Sequence, residues 1–260
     1  MQANPNIVEL HLADNAIGPD GATALADGLA HLNNLQRLNL DGNRIGDAGA
    51  RALSVLINAG NSQLVSLELF KNGIGNDGAD AIAEAFTFSS TLAHLDLQQN
   101  SIGEPGVGAI AEALKANQSI QVLRLNKNQI DMEGIEKLAK ALKSNSSLLY
   151  LDVSHNPLGR FGCKHICDAL HGQPSLKEVH LSGVGLMDEH MEMLKQSIMF
   201  NSVLLVLNLS MNNIENGGVA HLMDALRINS IVQEIEIWGN KVDDSKKSAL
   251  YLKCKDRLAA

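Results

Sequence analysis

Leu35-Gln36-Arg37-Leu38-Asn39-Leu40-Asp41-Gly42-Asn43-Arg44-Ile45-Gly46 carries a frame, L-x-x-L-x-L-x-x-N, that recurs along almost the whole chain. Its first apolar position falls at Ile7, Leu35, Leu64, Leu92, Ile120, Leu148, Leu176, Leu204 and Val232, so the period is 28 residues, once 29. A stack of like units buries a continuous core along one axis and leaves a long repeated surface free. Leu35 to Leu40 alternates apolar and polar residues, the two-residue period of a short strand with one buried face. Asp41 to Gly49 reads as a loop, where Gly and Asn permit tight turning and Ile45 returns to the core. Ala50 to Ile57 reads as a helix with Leu53 and Ile57 on one face and small residues that bring it close to the strand layer.

The other repeats keep the same columns. The helix core runs Leu25, Leu53, Ile82, Ile110, Leu138, Ile166, Leu194, Leu222, Leu250. Asn117, Asn145, Asn201 and Asn229 mark helix ends, Asn being a residue type that tolerates the left-handed conformation at a helix C-terminus. A second column, Asn15, Asn43, Asn72, Asn100, Asn128, Asn156, Asn212 and Asn240, sits where the chain leaves each strand. A buried Asn offers donors and an acceptor to loop backbone groups that the strands no longer satisfy, so an asparagine ladder is expected. Strands about 4.8 Å apart face helices nearly twice as wide, so the stack must curve. The expected fold is an α/β solenoid of about nine repeats, a horseshoe with a parallel sheet on the concave face and helices on the convex face. Residues 1–260 read as one domain, with 245–260 as a C-terminal capping helix.

Composition narrows the function. Apolar residues make up 45% of the chain and aromatics 3%, which suits a narrow core built on Leu and Ala. A net charge of −8 argues against nucleic acid or an anionic membrane as partner and favours a protein with a basic patch. No run of 18 apolar residues and no secretory leader is read, so membrane insertion is not expected. Cys163, Cys167 and Cys254 make no disulfide framework, in keeping with a reducing, cytoplasmic setting. Three glycosylation triplets, beginning at Asn117, Asn145 and Asn208, are what an Asn-rich repeat produces by chance.

The pattern resembles the leucine-rich repeats of the ribonuclease-inhibitor type, with 28 or 29 residues and a full helix per unit. Leu97-Gln98-Gln99-Asn100-Ser101-Ile102-Gly103 followed by Ala109-Ile110-Ala111-Glu112-Ala113-Leu114 shows the consensus well, and the match runs from about residue 6 to 258. Relatives of this type include ribonuclease inhibitor, the sensing ends of nucleotide-binding immune receptors, the activating protein of the Ran GTPase and scaffold subunits of cilia. The resemblance implies protein binding without naming the protein. Two departures stand out. The seventh repeat has Val184 where Asn belongs and His190 where Gly belongs, so its loop must be satisfied differently. The first strand begins at Ile7 without a polar cap, whereas the last helix carries Lys246, Lys247, Lys253, Lys255 and Arg257. The N-terminal end is therefore expected to be cut from a longer chain or covered by another domain or subunit.

Strand positions that point away from the core supply the candidate partner site. Trp238, Tyr150, Phe70, Arg124 and Arg37 belong to residue types that anchor interfaces and have no folding role there. Isolated exposed aromatics are also ordinary on any protein surface. A second candidate is the methionine cluster of repeats seven and eight, Met187, Met191, Met193, Met199, Met211 and Met223 with Phe200, on the convex side. If Met191 and Met223 merely replace core residues, the surplus is Met193, Met199 and Phe200.

Chemistry is mostly excluded. Cys163, Cys167 and His171 are four apart on one helix, a metal-compatible spacing, but both cysteines fall in columns held elsewhere by Ala and no fourth ligand follows. Asp152 and His155 share a strand edge without a nucleophile or an oxyanion pocket. No nucleotide-binding or hydrolase motif occurs. No cofactor is implied, and the chain is not expected to be an enzyme. The expected function is a non-catalytic scaffold, a module of an immune-type receptor or a subunit of a cytoskeletal or ciliary assembly. The alternative is GTPase activation of the Ran-activator type, for which Arg37, Arg44, Arg124 and Arg160 are available, although no acidic tail is present.

Overall fold

The structure is a computed structural model, and it describes residues 6–58 and 63–255. Contacts divide the chain into two compact units, residues 1–129 and 130–260. The first unit holds strands β1 Glu9–His11, β2 Arg37–Asn39, β3 Ser66–Glu68, β4 His94–Asp96 and β5 Val122–Arg124. Helices α1 Gly18–Leu29, α2 Gly46–Asn58, α3 Asn76–Thr87 and α4 Glu104–Ala116 connect them. The second unit holds α5 Met132–Leu142, β6 Tyr150–Asp152, α6 Gly159–Ala169, β7 Glu178–His180, α7 Asp188–Phe200, β8 Val206–Asn208, α8 Asn216–Ile228, β9 Glu234–Glu236 and α9 Asp244–Lys255. The expected capping helix corresponds to α9, and Arg257 lies outside the described residues.

Within each unit successive strands pair in parallel with no slip in the frame. Glu9, Arg37, Ser66, His94 and Val122 stand side by side in the first, and Tyr150, Glu178, Val206 and Glu234 in the second. Each unit is thus a parallel α/β solenoid segment, strands on one side and helices on the other. The middle residue of every strand faces the helices, and from β2 to β8 that residue is at most 1% exposed. Burying each such Leu contributes roughly 1.5–3 kcal/mol. The first repeat is less well covered: Ile7, Leu10, Leu12, Ile17 and Leu25 remain half-buried, whereas Leu53, the counterpart of Leu25, is fully buried.

The asparagine ladder is present in both units. Asn100 Oδ1 accepts from the N–H groups of Asn72 and Ile74 at 3.0 Å, and its Nδ2 donates to the carbonyls of Leu69 and Leu97 at 3.0 Å. Asn212 accepts from Val184, Gly185 and Leu186, which satisfies the loop of the repeat that lacks its own Asn. The residue before each ladder position is left-handed, with φ between 53° and 68° at Asp14, Gly42, Lys71, Gln99, Lys127, His155, Gly183, Met211 and Gly239. Six of those nine are not glycine, so the ladder holds a conformation that side chains ordinarily resist.

Two local expectations are corrected. Helix α2 begins at Gly46, four residues before Ala50. Gly49 therefore lies in the first helical turn, and a Cβ there would overlap Ile45 Cγ2 and stand 2.9 Å from Ala22 Cβ on α1. That glycine serves the close approach of neighbouring helices, not a turn. The helix-end asparagines are also not left-handed. Asn117, Asn201 and Asn229 have φ −78°, −74° and −71° with extended ψ, and Asn145 has no positive φ. Their side chains tie repeats together instead. Asn117 Nδ2 donates to Phe86 O at 2.7 Å and Ser89 O at 2.9 Å, one repeat back, while its Oδ1 accepts from the N–H groups of Ser119 and Ile120. Asn229 repeats the arrangement on Ile198 O and Asn201 O, both at 2.7 Å.

Candidate partner-binding site

The strands are three residues long, so each presents its first and third side chains, and then the residue two further on, to the face opposite the helices. In the first unit both arginines of this face are already paired, while Glu68 and Asp41 meet a neutral partner. Arg37 pairs with Glu9, and Arg124 with Asp96 at 3.5 Å. Asn39 donates to Glu68 and, at 3.1 Å, to Asp41, whose other oxygen accepts the Phe70 N–H at 2.8 Å. Burial holds the carboxyls of Asp41 and Asp96 above the usual range, and it lowers His94, helped by Arg124 and Arg37. Phe70 is half-buried. Arg37 and Arg124 thus stand at the expected strand positions, each already engaged by a carboxylate.

The second unit differs. Its strand face carries Asp152, Glu178, Glu234 and Glu236 and no Lys or Arg. His180 hydrogen-bonds Glu178 at 2.8 Å, and its ring lies 5.1 Å from that of Tyr150 at an interplanar angle of 34°. Glu234 and Glu236 form no ion pair among the described residues. Trp238 follows β9 and is 70% exposed. Met211 lies beside it: its N–H donates to Trp238 O, and its sulfur occupies the space over Gly239. Trp238 and Tyr150 therefore share a face with an uncompensated acidic row, a coincidence that the columns made legible but their charge pairing did not.

Two buried side-chain polar atoms in the described residues have no hydrogen-bond partner, Asn126 Oδ1 and Ser210 Oγ. Both belong to the column of Phe70 and Trp238. Neither was singled out by sequence, because a serine in a strand-exit column carries no signal until its neighbours are placed.

On the helix side the methionine cluster is dispersed. Met191 is core, at 0% exposed. Met193, Met199 and Met223 are half-buried, so Met223 is not the core replacement its column suggested. Met211 sits at a strand exit beside Trp238, away from the helix face, because its place in the frame precedes the ladder Asn212. Phe200 closes α7 at 70% exposed, next in column to Ile228 at 60%. Phe88 and Phe161 are also exposed, at 84% and 63%, so exposure of an apolar side chain does not by itself select a surface.

Cys163, Cys167 and Cys254 are buried and free of disulfides. Burial pushes the Cys163 thiol up to about 12 and that of Cys167 well above its ordinary value. Thiols kept protonated are poor ligands and nucleophiles. Cys163 Sγ instead donates to Val184 O at 3.4 Å, another tie for the loop of the seventh repeat. His190, the other departure in that repeat, is 1% exposed; its Nδ1 accepts the Met187 N–H and its Nε2 donates to Arg160 O, both at 3.0 Å. Asp152 Oδ1 accepts from the Ser154 N–H, and His155 is exposed at a left-handed position. Arg160 is held by Glu189. Among the described residues no helix is long and apolar enough to cross a membrane.

A family model described as Leucine Rich repeat matches residues 3–26, 31–54, 60–83, 88–111, 116–139, 144–167 and 200–223. The gap between 167 and 200 holds the seventh repeat, the one with Val184 and His190. The human protein NACHT, LRR and PYD domains-containing protein 12 is 39% identical over 82 residues, 31% of this chain and 8% of that protein. The chain therefore matches only a small part of that relative's length. Among solved structures, the actin-binding site 2 of leiomodin-1 aligns with a TM-score of 0.41 at 14% identity, covering 82% of this chain and 91% of that one. The C-terminal domain of Caenorhabditis elegans tropomodulin aligns with a TM-score of 0.47 at 13% identity, covering 57% and 90%. Repeats of the matched family serve in general as protein-interaction modules. Because that model spans more than half of the 260 residues and its matches fall on the columns of the asparagine ladder, the chain belongs to the leucine-rich repeat family.

Proposed function

We propose that the chain is a non-catalytic docking scaffold that binds a protein partner through its strand face, as a module of a larger protein or a subunit of an assembly in the cytoplasm. The observation that supports this most is Trp238, 70% exposed on the same face as four carboxylates. A large ring left in water at the edge of a β-strand has no folding role, and it is a favoured anchor type at interfaces. Tyr150 and Met211 extend that surface. Arg124, Arg37 and Phe70 are the candidates on the first unit's own strand face, and Met193, Met199 and Phe200 form the competing helix-side surface. Partial identity to a NACHT- and LRR-containing protein supports the receptor-module setting over the cytoskeletal or ciliary one.

The test is affinity capture from native extract, comparing the unaltered chain with a Trp238→Ala/Tyr150→Ala/Arg124→Ala variant and a Met193→Ser/Met199→Ser/Phe200→Ser variant. A partner lost only from the first variant supports the strand face. Loss only from the second transfers the site to the helix side. If neither set changes what is bound, docking through either surface is wrong.

A further inference from the structure

We propose that the strand face of the second unit takes an extended polypeptide segment bearing Arg or Lys side chains, with one cation seated on the Trp238 indole and another on the carboxylates of Glu234 and Glu236, which precede it at alternate positions of β9. This rests on the scaffold reading and names the chemistry of its partner. Charge is the first argument. β6 to β9 and their exits present four carboxylates and no Lys or Arg, whereas the first unit sets Arg37 and Arg124 against its own four, Glu9, Asp41, Glu68 and Asp96. Lys177, one residue before β7, is the nearest base along the chain on the entry side. An acidic row left without counter-charges costs self-repulsion in the free protein, and a cationic ligand relieves it.

The tryptophan is the second argument. Trp238 continues the row of Glu234 and Glu236 at alternate positions, and an indole face and a carboxylate both attract a guanidinium or ammonium, the ring through its quadrupole and the carboxylate through its charge.

Trp238 is the chain's one tryptophan, so it reports on its own site. The probe is a fluorescein-labelled Arg-Ala-Arg-Ala-Arg-Ala peptide, followed by anisotropy, with an unlabelled copy followed by Trp238 emission and a Glu-Ala-Glu-Ala-Glu-Ala control. Saturable binding that shifts the emission is expected. Glu234→Gln/Glu236→Gln and Trp238→Ala should each weaken it about tenfold, while Glu9→Gln/Glu68→Gln in the first unit should leave it unchanged. Equal weakening by both pairs of Glu→Gln changes would mean attraction to net charge alone and would overturn the proposal, as would no saturable binding. If the chain captures a protein through Trp238 but ignores the peptide, this proposal fails while the scaffold reading stands. If capture is insensitive to both surface variants, the scaffold reading fails first.

Discussion

Asn100 shows how much one side chain carries in a solenoid. It is nearly buried, and it closes hydrogen bonds to loop groups of its own repeat and the one before it. Each buried group left unpaired costs about 1–3 kcal/mol. Asn100→Ala, which strands several at once, should lower stability by more than about 3 kcal/mol in urea unfolding, among the larger effects of a single substitution. Asn240→Ala should cost less, because Asn240 is only half-buried and water can replace its amide. Equal losses would mean that the ladder's interior position confers nothing. The ladder was legible in the frame, since a short amide recurring at every strand exit can both donate to and accept from the loop backbone. The helix-end asparagines were misread for the same reason: Asn suits a left-handed turn and an inter-repeat tie, and the neighbouring repeat's carbonyls decide which.

At the scale of elements, each helix packs on its neighbour at the distance its smallest residues allow. Gly49, Gly78 and Gly106 stand in the first turn of α2, α3 and α4, where an added Cβ would press on Ala22, Ala50 and Ala79 of the preceding helix. Gly→Ala inside a helix ordinarily stabilises by roughly 0.5–1 kcal/mol. Gly49→Ala should do the opposite, losing about 1–3 kcal/mol by overpacking, read as a lowered melting temperature. A gain would show that α1 and α2 have room to separate. A further device at this scale escaped the sequence reading altogether. Asp47 Oδ1 accepts from the N–H groups of Gly75 and Gly78, and Asn76 Oδ1 from those of Gly103 and Gly106, so each caps the helix of the next repeat. Capping is normally sought within the same helix; here the acceptor arrives from 27 to 31 residues earlier. Only stacking brings it there.

For the whole molecule, the reading of residues 1–260 as one domain makes a definite prediction. Trp238 lies in the second unit, so its fluorescence follows that unit, whereas far-UV circular dichroism follows every helix. One domain requires the two denaturation curves to coincide in urea; a fluorescence transition displaced from the dichroism transition would divide the chain. The repeat period, the strand and helix columns, the buried leucines and the asparagine ladder were all determined by sequence, because each depends on a pattern that recurs every 28 residues and on short-range alternation. The sequence also named the outward positions, Arg37, Phe70, Arg124, Tyr150 and Trp238 among them. Tertiary structure alone decided which of those are engaged. Arg37 on Glu9 and Arg124 on Asp96 are pairs between neighbouring strands, Tyr150 leans on His180, and Glu234, Glu236 and Ser210 are left without counterparts. Such pairing depends on side-chain reach and burial across a register that exists only after the repeats have stacked.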